Sequence, residues 1–170
     1  MKLGSLFFGA VAAFVLTGCG AKPYVDTDAK EYATFQIVPH SETLIFTDDY
    51  YALIDDYSKG CSESKTLGIV ETDSDTPSRV VKLPVGKPML IGVYYKIEAL
   101  DNSSSYTEYT KYVLTPRKDK HYVVSYVRKD LSFFETMSDF DIYMEEGDKK
   151  VDVPASDVRE FDWATECKKD

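Results

Sequence analysis

From position 32 to position 153 the chain consists of short apolar stretches that alternate with polar residues at a period of two, the spacing that sends successive side chains to opposite faces of a β-strand. Segments 32–38 (YATFQIV), 43–47 (TLIFT), 67–71 (LGIVE), 80–83 (VVKL), 89–97 (MLIGVYYKI), 106–114 (YTEYTKYVL), 121–127 (HYVVSYV), 140–145 (FDIYME) and 150–153 (KVDV) are rich in Val, Ile, Thr, Tyr and Phe and predict strands. Turn chemistry separates many of them, most clearly at 84–88 (PVGKP), 101–105 (DNSSS), 116–120 (PRKDK) and 146–149 (EGDK). Only 50–57 and 157–167 compete as helix. In the second, Val158, Phe161 and Trp163 can lay an apolar edge on the domain, although the helical period is weak and a short extended tail would serve equally well.

Alternation is sharpest in 106–114, where Tyr109, Lys111 and Val113 oppose Glu108, Thr110, Tyr112 and Leu114, and in 121–127, where Tyr122, Val124 and Tyr126 oppose His121, Val123, Ser125 and Val127. The polar turn at 117–120 predicts that these two segments form a hairpin. Many short strands with turns between them predict two antiparallel sheets packed face to face, or a small barrel, with Phe35, Ile37, Leu44, Ile69, Val81, Leu90, Val113, Val124 and Ile142 among the core. The succession LPVGKPMLIGVYYK, YVLTP, a polar turn and HYVVSYV is similar in rhythm to small transthyretin-like or immunoglobulin-like β-sandwiches of bacterial envelope lipoproteins. In those, a Pro/Gly turn introduces a central strand, and a later strand opens with Tyr after a tight polar turn. The resemblance implies an all-β antiparallel β-sandwich and specifies no activity.

The start of the chain follows a different pattern. Met1-Lys2 precedes an uncharged apolar run at 6–16, which suits a signal-peptide core and falls short of the roughly 20 residues a membrane-spanning helix needs. The run ends in Leu16-Thr17-Gly18-Cys19, which resembles the lipobox of bacterial lipoproteins: a branched apolar residue, two small residues and a cysteine. The resemblance implies cleavage after Gly18, a diacylglycerol group on the Cys19 thiol and acylation of the freed amine. At about 0.8 kcal/mol per buried CH₂, such an anchor is hard to reverse.

In enteric-type members of that family an Asp after the cysteine commonly holds the protein in the inner membrane. Here the residue is Gly20, which implies delivery to the outer membrane, facing the periplasm, with the inner membrane or the surface of a single-membrane cell as the alternatives. An ordinary secretory signal that leaves Cys19 as a thiol is the competing reading. Residues 19–30, short of apolar side chains, predict a lipidated flexible tether, and 31–170 a single folded domain.

The chain carries a net charge of −9, and the signal segment contains one Lys and no acid, so the mature form is more acidic still. Such a domain is repelled by nucleic acid and by anionic headgroups, which argues against nucleic-acid binding and leaves membrane attachment to the lipid. Once Cys19 is acylated, Cys61 and Cys167 remain as an even pair in an oxidising compartment and predict an intramolecular disulfide. Two separate thiols, one pairing with another protein, are the alternative.

Recognisable chemistry is sparse. His40 and His121 stand in no metal-ligand spacing and read as polar residues flanking strands. Acids cluster at Asp48-Asp49, at Asp55-Asp56 and at Glu71, Asp73 and Asp75. Counted from Glu71, the sixth and twelfth positions are Thr76 and Lys82, so the EF-hand pattern fails and solvated loops account better for the acids. No G-x-S-x-G and no phosphate-cradling glycine loop appears, and no metal or cofactor is expected.

Tyrosine is the abundant aromatic, with 13 copies. In the doublets Tyr50-Tyr51 and Tyr94-Tyr95 a strand must turn one ring inward and one outward, and an outward ring with a polar tip suits protein or glycan contact. Tyr94 and Tyr95 are therefore the candidate contact residues, against the plainer reading of β-propensity and an aromatic core. The expected role is a lipid-anchored envelope protein that binds a protein or glycan, or serves as an accessory subunit of an envelope assembly. The alternative is an envelope hydrolase or modifying enzyme with a site assembled from the loop acids and His40 or His121.

Overall fold

The computed structural model describes residues 22–41, 46–73, 76–99, 105–132 and 135–167. Strands β1 (Tyr32–Ser41), β2 (Phe46–Asp56), β3 (Lys65–Asp73), β4 (Val81–Pro84), β5 (Met89–Ala99), β6 (Ser105–Leu114), β7 (His121–Ser132), β8 (Glu135–Glu146), β9 (Lys149–Asp152) and β10 (Val158–Glu160) are followed by a one-turn helix α1 (Trp163–Glu166). They form two five-stranded sheets, ordered β4-β1-β7-β8-β9 and β10-β6-β5-β2-β3. All pairs are antiparallel except β1 with β7. The protein is an all-β sandwich.

Alternation determines what fills it. Ala33, Phe35 and Ile37 of β1, Val81 and Leu83 of β4, and Tyr122, Val124 and Tyr126 of β7 are buried from the first sheet. They meet Tyr50, Ala52 and Ile54 of β2 and Met89, Ile91, Val93 and Tyr95 of β5 in one cluster. Segment 50–57, a helix competitor by sequence, is thus strand through Asp56, because its apolar residues recur at two and not at three or four. Segment 157–167 divides into β10 and α1, the latter capped by Asp162, whose carboxylate accepts from the Ala164 N–H at 2.9 Å.

Among the core candidates, Phe35, Ile37, Val81 and Val124 lie in the central cluster and Ile142 packs partly buried against it. Ile69 is half-buried, and Leu44 lies outside the described residues. Leu90 and Val113 are buried on the opposite, outer face of the second sheet, where they form a small cluster with Tyr57 that is covered by Phe161 and Cys61. The chain's C-terminal segment closes this outer cluster. Cys61 and Cys167 are disulfide-bonded with Cα atoms 5.5 Å apart, as the sequence led us to expect. Beside them the Tyr57 hydroxyl donates to Glu166 at 2.8 Å, and Arg159 pairs with the same carboxylate.

Two expectations are overturned. The hairpin between 106–114 and 121–127 does not form: β6 lies between β5 and β10 in one sheet, and β7 between β1 and β8 in the other. Tyr122, Val124 and Tyr126 face the core and are fully buried, and β7 occupies the centre of its sheet with a partner on each side. Residues 115–120 therefore cross between layers. The Gly86 N–H donates to the Pro116 carbonyl (2.9 Å), and the Arg117 N–H donates to the Tyr122 hydroxyl (3.0 Å). Asp119 takes the left-handed conformation (φ 59°) that Asp tolerates better than most residues.

The second correction concerns the tether at 19–30. Its residues 22–27 are docked on the sandwich. Pro23 bridges Ile69 in parallel, with the Tyr24 N–H donating to the Ile69 carbonyl (2.8 Å) and the Ile69 N–H to the Lys22 carbonyl (2.9 Å). Tyr24 is buried in the central cluster, and its hydroxyl donates to the Lys82 carbonyl at 3.0 Å. Arg79 donates to the Tyr24 carbonyl and pairs with Asp26. A Cβ on Gly68 would lie 2.5 Å from the Tyr24 Cα and 2.6 Å from its N, so only glycine lets the segment close on β3. The docked segment covers the β3 edge, which would otherwise present unpaired backbone groups.

Candidate contact surface

On the outer face of the second sheet, Tyr51 of β2, Tyr94 of β5 and Tyr109 of β6 stand in register. Their rings stack in series, with centroids 4.9 Å and 5.7 Å apart. Because those separations are close to the spacing of neighbouring strands, about 4.8 Å, the rings stand on edge across the sheet. Gly92 makes room for the middle ring, since a Cβ there would come within 2.9 Å of Tyr94 Cε2. Burial raises the Tyr51 and Tyr94 pKa values, with the neighbouring Tyr94 and Asp55 groups respectively adding to the shift. Both phenols therefore remain neutral hydrogen-bonding groups at physiological pH.

Each end of the row opens on a cleft. Tyr51 lines one of about 530 Å³ with Asp49, Glu71, Arg79 and Lys96, at the β3 side. Tyr109 lines the other, of about 740 Å³, with Thr110, Lys111, Glu160, Phe161 and Trp163. Tyr109 is 63% exposed and Trp163 66% exposed, so two large rings on separate elements face water around one groove. Lys111 Nζ lies 5.7 Å from the Tyr109 ring centre, and Phe161 meets Trp163 edge-on at 6.2 Å. Asp162, also in this wall, caps α1 with one carboxylate oxygen, and with Glu160 it leaves the cleft with two acids against the single cation of Lys111. Aromatic surface beside charged and hydroxyl groups suits a ligand with both apolar and hydrogen-bonding faces.

Of the two tyrosines singled out by sequence, Tyr94 belongs to this row. Tyr95 does not: it is fully buried, with its ring 4.8 Å from Tyr50 and 4.5 Å from Tyr126. The phase of β5 decides this, because Met89, Ile91 and Val93 face inward and Tyr95 continues their series. Trp163, expected to pack on the sandwich, instead points to solvent at the edge of the cleft. Sequence reasoning identified Tyr109 as one face of an alternating strand but had no signal that α1 would bring Trp163 opposite it. Cys19 lies outside the described residues.

The two histidines offered for a hydrolytic site are not brought together. His40 and His121 sit at opposite ends of β1, since His121 pairs with Thr34 and His40 with Val127, roughly 20 Å apart along the strand. His121 Nδ1 lies 2.8 Å from the Thr34 hydroxyl, and its Nε2 is 3.8 Å from Glu145, on the outer face of the first sheet and outside both clefts. The acids read as loop residues are mostly in strands: Asp48, Asp49, Asp55 and Asp56 in β2, Glu71 and Asp73 in β3. Among the described residues no three His, Cys, Asp or Glu side chains are grouped to hold a metal. No protein-family model matches the chain, and a comparison with curated proteins finds no similar sequence.

Proposed function

We propose that this protein is a lipid-anchored component of the bacterial envelope, acylated on Cys19 at the outer membrane, that acts by contact and without catalysis. Its partner is an envelope protein or glycan that docks on the outer face of the second sheet. The observation that carries the reading is the pair of exposed rings, Tyr109 and Trp163, facing one cleft at the end of a stacked tyrosine row. Exposed aromatic rings with polar tips, set on rigid elements, are the usual anchors of recognition surfaces. The short Leu16-Thr17-Gly18-Cys19 motif after an apolar run supports the anchorage.

Two measurements test this. Mass spectrometry of detergent-extracted protein should find acyl groups on an N-terminal peptide beginning at Cys19; an intact Met1 or an unmodified Cys19 would remove the anchor. Gentle crosslinking in cells, followed by recovery of the acylated protein, should yield a stoichiometric partner that is lost when Tyr109→Ser and Trp163→Ser are combined. A partner that persists undiminished would exclude this face. The rival hydrolytic reading draws on the contact between the Thr34 hydroxyl and His121. It requires a turnover that disappears with His121→Ala, and the position of that pair on an open sheet face weighs against it.

A further inference from the structure

We propose that the edge of the sandwich formed by the docked segment 22–27 is a membrane seat, which lies on the lipid surface and turns the Tyr109–Trp163 cleft away from it. The inference rests on acylation of Cys19. Two observations carry it beyond that reading.

The first is reach. Lys22 already bonds Ile69 of β3, and Tyr24 is buried in the central cluster. Cys19 precedes Lys22 by three positions, which span at most about 10 Å when fully extended. A lipid on Cys19 therefore holds the β3 edge itself against the bilayer, where a flexible segment reaching to residue 30 would have let the domain tumble at a distance.

The second is the distribution of exposed apolar side chains. The large hydrophobic residues exposed among those described are Val25, Leu67, Val80, Tyr109 and Trp163. Tyr109 and Trp163 line the cleft already described. The other three flank the docked segment: Val25 (80% exposed) follows Tyr24, Leu67 precedes Gly68 against which Tyr24 closes, and Val80 follows the Arg79 that binds Tyr24 and Asp26. Arg79 pairs with Asp26 at 3.1 Å, so these two charges between the exposed apolar residues offset each other. Exposed Val and Leu beside a lipid anchor gain by entering the interfacial region.

In the second sheet, β3 and β10 are the two edges, four strand spacings or about 19 Å apart. The seat lies along the first, and the cleft lies beside the second. Seating one edge on the membrane thus presents the cleft to the aqueous space.

Trp163 is the chain's single tryptophan, which makes depth measurable by quenching with bromine-labelled lipid. The acylated full-length protein is placed in vesicles of phosphatidylethanolamine and phosphatidylglycerol with brominated acyl chains. Trp163 is expected to be quenched little. In a Trp163→Phe background, Val25→Trp and, separately, Leu67→Trp should be quenched at least several-fold more strongly. Mass spectrometry of the same sample establishes acylation. Acylated protein with Val25→Trp quenched no more than Trp163 would overturn the seat while leaving the anchor intact, and a vesicle-bound protein without acyl groups would remove the anchor and the seat with it. Unchanged circular dichroism in the tryptophan variants separates either outcome from misfolding.

Discussion

At the residue scale, the two tyrosines of the 94–95 doublet have opposite tasks, assigned by one strand's phase. Tyr95 contacts Tyr50 and Tyr126, and Tyr126 in turn meets Phe140 at 4.4 Å and donates to Glu108 at 2.7 Å across the sandwich. Truncating a fully buried aromatic forfeits its burial and leaves a cavity, so Tyr95→Ala should cost about 3 to 5 kcal/mol of stability. Tyr94→Ala, on the solvent side, should cost only about 1 kcal/mol, the scale of a lost ring stack. Urea unfolding of the pair checks this, and equal losses would contradict the assignment of faces. That each doublet places one ring in and one out was legible from periodicity alone. Which ring faces in does not follow from the doublet itself and is set by the phase of Met89, Ile91 and Val93 within the same strand. Trp163 was harder to place, because a single helical turn carries too little periodicity to show which way its side chain points.

At the scale of elements, the strands were legible because a half-buried strand must alternate, whereas the partner of each strand was not. A six-residue link such as 115–120 can close a hairpin or step between sheets, and the choice depends on β7 taking β1 and β8 as its two partners in the other sheet, a property of the assembled layers. Segment 22–27 was misread for a related reason: its polar composition suggests a linker, while its attachment depends on backbone hydrogen bonds and on one buried ring. Gly68→Ala should push this segment off β3 and destabilise the domain by roughly 2 to 3 kcal/mol, measurable by denaturation and by faster amide exchange at Tyr24 and Ile69. An unaffected exchange rate would show that the segment is held otherwise.

The same element predicts a pH dependence. Burial, with the charge of Asp26 adding, pushes the Tyr24 phenol up to about 12 from an ordinary value of 10.0. The fold favours the neutral phenol, so its contribution is complete below pH 10 and is lost as pH rises toward 12, where the unfolded chain's tyrosine ionises first. Urea midpoints followed across that range should fall less steeply for Tyr24→Phe than for the parent protein. Parallel curves would mean that Tyr24 takes no part in the alkaline loss. At the opposite edge, Cys61→Ser should cost about 2 to 5 kcal/mol, since the disulfide closes a span of 106 positions. A loss confined to the Tyr57, Leu90 and Val113 cluster would instead indicate local fraying.

At the scale of the whole molecule, the docked N-terminal segment and the disulfide-pinned C-terminal segment close opposite edges of the same sheet, and exposed apolar side chains collect at each. On the reading proposed above, one edge faces a membrane and the other a partner, with the stacked tyrosines between them. The overall architecture was readable from the sequence because composition and period point to a sandwich. The relation of its two edges was not, because it depends on pairings between residues far apart in the chain: Tyr24 with Ile69 and Lys82, and Phe161 with Lys111. The central claim, that the protein works by contact at the Tyr109–Trp163 cleft, is tested most directly by site-specific photo-crosslinking in living cells. A photoreactive residue replaces Trp163 in one strain and Lys149, on the edge strand β9 of the other sheet, in a second. Crosslinking to one discrete partner from position 163 and none from position 149 is the result expected. Equal crosslinking from both positions, or none from 163 while the protein remains folded and acylated, would contradict it.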